Sequence, residues 1–555
     1  MNCISHGALQ PLRERAICVS LLLLMVAGCG GCGSASKPAG TTSKSPTKKK
    51  RVDRFVGTII GMCEPDRLGL DTSPDQVSGL LNQWWISTGE TIDPAKALTP
   101  AATKSIEADM PSGTLERTVS PRFDERDVEF IRDARMFREI VNRSLAEDND
   151  LQVGLFDWVV RNIELLPEAD SPPRTPYEIV MFGRGTAKER AWIFAELMRQ
   201  LRLDAYIIKP SKADQSDRWL IAVEDENGLS KLFDPVVGVP VPTTVDPDPQ
   251  AVPVAASLKQ LQENGSLWAS LYPAEKDSFQ KLELDTWEAQ AIGTSSLWSP
   301  RMKMLQQAAS GDDLSAVISQ PVPEATRELP SVEKITLWPY PEERMVARYT
   351  TDEPLRYTDL WFPFQMPFSV ELAGGTTNAG QDPNAMQQRL QIGRPMQLQL
   401  KARTSQLAGD LASAIQQFIN VRLQCTRLIT FPNVPTEVRR SHARAFDDAY
   451  FWIGICQFEL DRPDQAAQTF GSYIDQFGER GFHREQARLL LAECTSSNVE
   501  RVKILTEVSD DSPAIYQARY LSQLLQDDPA KEVSVEETTK ANSPKTSEPA
   551  VAAKP

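Results

Sequence analysis

The central part of this 555-residue chain lacks the two side chains that enzymes often combine as nucleophile and base. No cysteine lies between Cys63 and Cys425, and no histidine lies between His6 and His442. A cysteine nucleophile paired with a histidine base is therefore impossible across residues 64–424. Acid–base chemistry in this part would depend on carboxylates, because two carboxylates with separated pKa values can act as general acid and general base.

One predicted helix positions the candidate residues of this region. Apolar side chains recur at steps of three and four residues and share one face, which predicts an amphipathic helix. These side chains are Ala191, Phe194, Ala195, Met198 and Leu201. Thr186 can cap the helix, and Glu189, three residues later, can reach back to the amide of the cap, which is the pattern of a capping box. The predicted helix therefore has Ala187 as its first residue.

Short strands are predicted after this helix. Residues 205–208, 219–223 and 232–233 have the apolar and aromatic composition of strands. Asn227-Gly228 lies between the last two and is a strong signal for a hairpin turn. The region ends at Asp234-Pro235.

This order of helix and strands resembles the core of the transglutaminase-like family of papain-type folds. The family motif is Gly-x-Cys at a helix start, His-x-Trp on a strand and Asp-Pro at the end of the next strand. Residues 185–187, 217–219 and 234–235 take these places. In the family, the helix N-terminus lowers the pKa of the cysteine, the histidine acts as base and the aspartate orients it. The resemblance implies an α+β core domain over residues 121–256.

The catalytic positions of that motif are altered in this chain. Ala187 stands at the position of the thiol and Asp217 at that of the imidazole, while the aspartate is retained as Asp234. We therefore predict a catalytically silent domain whose degenerate groove holds an extended peptide or a cell-wall peptide stem without cutting it. The groove residues that the resemblance implies are Thr186, Ala187, Glu189, Asp217, Trp219 and Asp234.

Two alternatives stay open for these residues. Asp234 can be a turn residue before a proline and Trp219 a core aromatic, with no part in binding. Glu189, Asp217 and Asp234 can instead cluster and serve a carboxylate-dependent hydrolase acting on peptide or cell-wall substrates. The silent domain is favoured because the capping box already explains Glu189.

The composition excludes several classes of function. A net charge of −15 and a pI near 5.0 argue against a nucleic-acid partner, which would need a basic face. The chain has no P-loop, dinucleotide-binding glycine motif, HExxH or paired CxxC. We therefore predict neither a cofactor nor a metal site.

The start of the chain resembles a bacterial lipoprotein signal peptide over residues 1–28. Arg13 and Arg15 form a positively charged start, and residues 16–27 are an apolar run too short to span a bilayer. Val26-Ala27-Gly28-Cys29 resembles a lipobox. This implies cleavage before Cys29 and a lipid on its thiol, whose acyl chains would anchor the protein to the membrane.

This resemblance predicts a lipid-anchored, extracytoplasmic protein of the bacterial cell envelope. Gly30, rather than an aspartate, follows the cysteine, which favours the outer membrane where one exists. An ordinary secretory cleavage that leaves Cys29 free is the alternative. Residues 29–54 are rich in Gly, Ser, Lys, Pro and Thr and predict a flexible tether.

The remaining segments are divided by composition. Residues 55–120 form a small N-terminal region, with a strand at 55–62, a helix at 76–85 and irregular structure at 86–120. Helices are predicted from residues 124 and 150. Residues 257–395 predict a mixed α/β region of unassigned fold, with strands at 335–338, 357–362 and 368–372. Residues 527–555 have almost no large apolar residue and predict a disordered tail.

An aromatic-rich stretch in the unassigned region could line a groove or fill a small core, of which the core is the commoner case. It consists of Trp338, Trp361, Phe362, Phe364 and Phe368.

Residues 396–526 predict helical hairpins that resemble tetratricopeptide repeats. Gly454, Ala466 and Phe470 match the spacing in which a small residue lets two helices approach and a later alanine and aromatic fill the seam. Stacked hairpins of this kind leave a concave surface that often holds peptides. We therefore predict a protein or peptide partner at the repeats, while the oligomeric state stays open.

Overall fold

The computed structural model describes residues 47–526 except 70, 145–149, 171, 213–217, 227, 250, 280–281, 310–313, 324–327, 351–360, 362, 365–369, 374–388, 393–396, 431–433 and 435. Within this part the fold is α+β, as predicted, with a mixed sheet and C-terminal helices. The predicted signal peptide, Cys29 and the predicted tail at 527–555 lie outside the described residues.

A series of helices leads to the sheet. They are α1 Thr47–Met62, α2 Pro74–Thr88, α3 Pro100–Asp109, α4 Thr114–Val119, α5 Glu125–Ser144, α6 Leu151–Asn162, α7 Pro176–Phe182 and α8 Ala187–Gln200. Short 3-10 turns lie at Pro94–Lys96 and Glu168–Asp170. The helices predicted at 76–85, from 124 and from 150 are confirmed as α2, α5 and α6.

The N-terminal region differs from its prediction at two places. Residues 55–62, predicted as a strand, are the second half of α1, where Val56, Ile59 and Ile60 are buried at helical spacing. Because α1 begins at Thr47, the end of the predicted flexible tether at 29–54 is helical.

Residues 86–120, predicted as irregular, contain α3 and α4. Pro100 occupies the first turn of α3, where the missing N–H of proline costs nothing. Thr99 Oγ1 accepts a hydrogen bond from the Ala102 N–H at 3.1 Å. The proline and threonine that suggested irregular structure are therefore the start signal of a helix.

A six-stranded mixed sheet forms the centre of the fold. Two short strands, β1 Glu164–Leu165 and β2 Arg184–Gly185, come before this sheet in the chain and pair with each other in parallel. The six strands of the central sheet are β3 Ala205–Pro210, β4 Leu220–Asp225, β5 Gly228–Asp234, β6 Val239–Pro240, β7 Trp287–Ala291 and β8 Val332–Leu337. Their order is β6-β5-β4-β3-β7-β8, antiparallel throughout except for the parallel pair β7–β8.

The predicted strands at 205–208, 219–223 and 232–233 are confirmed by β3, β4 and β5, with slightly different ends. The hairpin is confirmed as well, because Asp225 pairs with Gly228. Gly228 has a φ of 99°, a conformation that glycine adopts without strain. The strand predicted at 335–338 is confirmed as β8.

The segment after the hairpin is mixed, as predicted. It contains α9 Leu258–Glu263, α10 Ser266–Ala269, α11 Lys276–Phe279, α12 Pro300–Ala308 and α13 Tyr340–Thr350, with a 3-10 turn at Pro273–Glu275. It also contains the antiparallel pair β9 Val370–Ala373 and β10 Arg389–Ile392. The strand predicted at 368–372 is confirmed from residue 370, and the one predicted at 357–362 falls on residues that, apart from Trp361, are not described.

The two faces of the sheet belong to two hydrophobic clusters. Ile207, Ile221 and Phe233 pack with α5, α6 and α8 on one face. Ile208 and Leu232 point to the other face, where they pack with α1, α2, α9 and α10. This alternation follows from the two-residue period of a strand. Helix α8 is consequently covered by the sheet and by other helices.

The aromatic-rich stretch belongs to the core where it is described. Trp361 lies with its ring centroid 5.0 Å from that of Phe182, and Phe364 is 2 % exposed. Trp338 is also buried. Phe362 and Phe368 lie outside the described residues.

The C-terminal part is an array of helices, as predicted. They are α14 Leu398–Leu407, α15 Leu411–Thr430, α16 Thr436–Glu459, α17 Pro463–Phe477, α18 Arg484–Cys494, α19 Asn498–Thr506 and α20 Ile515–Gln526, with a 3-10 turn at Gly478–Arg480. Consecutive helices pack against each other. The cysteines of this array, Cys425, Cys456 and Cys494, carry free thiols.

Candidate functional site

The start of α8 is built as the sequence predicts. Thr186 Oγ1 accepts the N–H of Glu189 at 3.2 Å, and Glu189 Oε2 accepts the N–H of Thr186 at 3.0 Å. Ala187 is the first helical residue and is 8 % exposed. A methyl group has no nucleophilic atom, so this position cannot form the covalent intermediate that a cysteine would form here.

Glu189 is fully buried and held by two arginines. Arg174 donates to Oε2 at 2.7 Å, and Arg344 donates to Oε1 at 3.1 Å. Together with the amide of Thr186, these contacts engage both carboxylate oxygens. Two guanidinium groups from different segments of the chain therefore pair with this one buried carboxylate.

Tyr340 covers the same helix end. Its hydroxyl lies 3.3 Å from Thr186 Oγ1, and its ring stacks on Trp338 with centroids 5.1 Å apart. Burial raises the pKa of Tyr340 well above its ordinary value of 10.0. The hydroxyl is therefore neutral across the physiological pH range and acts as a hydrogen-bonding group.

Asp234 is a fully buried turn residue with a complete set of partners. Its Oδ1 accepts the N–H groups of Val236 and Val237 at 2.9 and 3.0 Å. Its Oδ2 accepts from Trp268 Nε1 at 3.0 Å and from the Tyr272 hydroxyl at 2.8 Å. Burial nevertheless raises the pKa of Asp234. This carboxylate joins the end of β5 to α10 and the turn that follows it.

The predicted groove residues are only partly brought together. Thr186, Ala187 and Glu189 lie at one helix end, but Asp234 shares no hydrogen-bonding partner with Glu189. Its neighbour Phe233 packs on the α8 face of the sheet, whereas Asp234 bonds to Trp268, which belongs to the cluster on the other face. Trp219 is half-buried against the α8 cluster. Asp217 lies outside the described residues.

The predicted seam residues are buried inside the array of C-terminal helices. A Cβ on Gly454 would lie 2.5 Å from the ring of Phe470, so only glycine permits this approach of α16 and α17. Ala466 and Phe470 are 0 % exposed. These three residues hold the helices together and are buried, so they are not part of a surface on which a partner could bind.

The first helix of each hairpin faces the protein's own core. From α14, Arg403 donates to the carbonyl of Val180 at 2.7 Å. From α18, Gln486 donates to the carbonyl of Val160 at 3.1 Å. From α20, Tyr520 belongs to the core cluster that includes the sheet. The face expected to hold a peptide is therefore in contact with the core along much of its length.

A buried charge cluster at this joint was not predicted. His483 is 0 % exposed, with Nε2 3.0 Å from Asp448 Oδ1 and Nδ1 3.3 Å from Glu164 Oε2. Glu164 belongs to β1 and also pairs with Arg184 of β2 at 2.9 Å. These carboxylates raise the pKa of His483 despite the opposing effect of burial. The histidine therefore links two array helices to the strand pair that leads into α8.

Asp447, Asp448 and His483 also form the one group of possible metal ligands found within the described ranges, with ligand atoms inside 4.8 Å of one another. Arg444 Nε lies 3.0 Å from the same Asp448 oxygen that contacts His483. The Tyr473 hydroxyl donates to Asp447 at 2.6 Å. A guanidinium at this place opposes a cation, so the group is best described as an ion-pair cluster.

Comparisons of the chain with protein-family models, with curated proteins and with solved structures gave no match. Across the described residues, none of the helices is both long and apolar enough to cross a membrane.

Replacing Glu189 by alanine should destabilise the fold strongly. The change removes the buried carboxylate that pairs with two largely buried guanidinium groups and removes half of the capping box, and breaking a buried pair costs about 3–5 kcal/mol. We expect a loss of about this size in the free energy of unfolding, measured by urea denaturation.

The matched control is Glu168→Ala, because Glu168 is exposed and accepts a long hydrogen bond from the Lys188 amide at the same helix end, at 3.4 Å. It should change the free energy of unfolding by less than about 0.5 kcal/mol. Equal losses in the two variants would contradict the importance of the buried pairs.

The His483 cluster should make stability depend on pH in a defined direction. The pKa of His483 is raised above its ordinary value of 6.5, so its contribution is fully present below pH 6.5 and is lost as the pH rises through the folded-state value. Asp448, whose pKa is lowered to about 2, stays charged throughout this range. The difference in unfolding free energy between the wild type and His483→Gln should shrink as the pH rises above 6.5.

His442 provides a control, because its pKa is shifted in the opposite direction from that of His483. Burial lowers its pKa, so its contribution is present above pH 6.5 and is lost as the pH falls. The His442→Gln difference should therefore shrink toward acid pH. A His483 difference that stays constant or grows between pH 6.5 and 9 would refute the assignment.

Proposed function

We propose that this protein is a lipid-anchored, extracytoplasmic binding or scaffold protein of the bacterial cell envelope, with a catalytically silent core related to transglutaminase-like domains. The observation that carries the proposal is the start of α8. Ala187 stands where that family has its nucleophile, and the neighbouring carboxylate of Glu189 is already bound by two arginines.

The competing proposal, a carboxylate-dependent hydrolase, loses support from the same geometry. Such an enzyme needs two carboxylates that face one substrate and titrate separately. Glu189 is bound to arginines on the α8 side, and Asp234 is engaged by four donors that include Trp268 on the other face of the sheet. No observation among the described residues favours a hydrolase.

A partner of the array would bind to its outer helices. The inner helices α14, α16, α18 and α20 contact the core, which leaves α15, α17 and α19 on the outside. Leu423 on α15 is 59 % exposed, and Val499 on α19 is 76 % exposed. Exposed apolar side chains on a rigid helical scaffold suit a protein partner better than a small solute.

The membrane anchor is tested by changing its cysteine. In cells supplied with an alkyne-labelled fatty acid, we expect label on the wild type and none on Cys29→Ser, which should leave the membrane fraction. The matched control is Cys32→Ser, three residues further on, which should keep both the label and the membrane location. Label that survives in Cys29→Ser would disprove a lipid at this position.

The outer surface is tested by site-specific photo-crosslinking in intact cells. A photoreactive residue at Leu423 or Val499 should give a discrete protein adduct. The control position is Ile86 on α2, which is 77 % exposed but is not part of the array. Adducts at Ile86, with none at the two array positions, would show that the interaction surface does not lie on the array.

A further inference from the structure

The hairpin of α15 and α16 is positively charged in an otherwise acidic chain. Residues 411–443 include four arginines and one glutamate, whereas the whole protein has a net charge of −15. Arg427, Arg439 and Arg440 are exposed, and no described carboxylate pairs with them. The residues between the two helices that the structure does not describe are uncharged. The hairpin therefore offers guanidinium groups that can bind an anion from outside.

One stripe of α16 lies beside Arg422 of α15. Arg439, Ala443, Phe446 and Tyr450 are four, three and four residues apart, so they share one face of α16. Arg439 and Ala443 are exposed, and the two aromatic side chains are half-buried. The guanidinium of Arg422 lies 3.9 Å from the ring centroid of Tyr450 and 5.6 Å from that of Phe446. These five residues are named the Arg422 surface.

Arg422 is half-buried and has no carboxylate partner within the described ranges. Its Nε atom is shielded from solvent and makes no hydrogen bond to any described residue. The loss of solvent lowers the pKa of Arg422, and Tyr450 is the one described group that opposes this shift. Arg444 on α16 is also largely buried, but Asp448 pairs with it and its pKa is raised. Arg422 thus lacks a counter-ion that the carboxylate of a ligand would supply.

The Arg422 surface has the length and chemistry of a short peptide site. From Arg439 to Tyr450 the helix rises about 17 Å, which about five residues of an extended chain would span. The half-buried rings of Phe446 and Tyr450 offer apolar contact next to the small side chain of Ala443. Because these rings do not protrude, they suit a peptide side chain better than insertion into a bilayer. An acidic peptide with an apolar side chain matches both the charge and the rings.

We propose that the Arg422 surface binds an acidic, extended segment of a partner protein. Carboxylates of the segment pair with Arg422 and Arg439, and an apolar side chain packs on Phe446 beside Ala443. This inference rests on the proposed function and deepens it, because it names the kind of partner that the array would bind.

The test uses the purified full chain in detergent, and the probe is a fluorescent peptide made of four Glu-Glu-Leu repeats. Fluorescence anisotropy should show saturable binding with a Kd of about 100 μM or lower. The same peptide with glutamine in place of glutamate should bind at least about tenfold more weakly, because it cannot form charge-assisted hydrogen bonds. Alanine in place of leucine should weaken binding about threefold, because it removes the contact with the rings.

Substitutions at the exposed Ala443 separate the effect of charge from that of packing. Ala443→Glu should weaken binding of the peptide about tenfold, because it places a carboxylate one turn from Arg439. Ala443→Lys introduces a long side chain of opposite charge and should strengthen binding. Neither should lower the denaturation midpoint by much, because the position is exposed. Arg422→Gln should weaken binding about tenfold and Arg439→Gln about threefold.

The matched control is Arg462→Gln, because Arg462 is exposed just before α17 and is not part of the Arg422 surface. It should leave binding unchanged. The proposal is overturned if binding does not saturate at about ten times the expected Kd, or if Ala443→Glu and Ala443→Lys have equal effects. Arg422-dependent binding of short-chain phosphatidylglycerol, without binding of the peptide, would overturn it in favour of a lipid surface.

The photo-crosslink at Leu423 separates this proposal from the proposed function. We expect its adduct to be lost when Ala443→Glu is added and to be kept when Arg462→Gln is added. An adduct that survives Ala443→Glu would overturn the role of the Arg422 surface, while the array would still be a site of protein binding.

Discussion

The constraint on which the structure depends is the burial of α8 on nearly every side. A helix enclosed in this way is normally apolar, but α8 carries Glu189, Arg190, Glu196 and Arg199, all of them buried. An unpaired buried charge is very costly, so every one of these groups needs partners: Glu196 pairs with Arg199 within α8, and the others reach neighbouring elements. Arg190 donates to carbonyls at the end of α6, and burial lowers its pKa to about 9. The charges of α8 therefore fix the positions of the elements around it.

The same network determines what surrounds the start of α8. Glu189 is bonded by Arg174 and Arg344 and by the capping amide. Its role is to hold α8 against the segments that carry the two arginines. Tyr340 lies at the same helix end, with its hydroxyl 3.3 Å from Thr186 Oγ1.

The parts of the fold that the sequence predicted are those set by local interactions. The start of α8 follows from Thr186 and Glu189, three residues apart, and the β4–β5 hairpin follows from its Asn-Gly turn. The strand predicted at 55–62 was wrong because β-branched residues there also fit a helical period, and the buried face of α1 was decided by the rest of the fold. The arginine partners of Glu189 are 15 and 155 residues away, so no local pattern could reveal them. For His483 the available signal was the rarity of histidine in this chain.

The contact between the array and the core includes buried charged groups. Arg403 of α14 lies in this contact, with its guanidinium 3.6 Å from the ring centroid of Trp452 and hydrogen-bonded to the Val180 carbonyl. Burial lowers its pKa to about 9, so it is still charged at neutral pH and would lose these partners if the array moved away. His483 adds a second ionic tie to the strands that lead into α8. A repeat array usually offers its concave face to other proteins, but here the inner helices of the array contact the core, which leaves the outer helices as its exposed side.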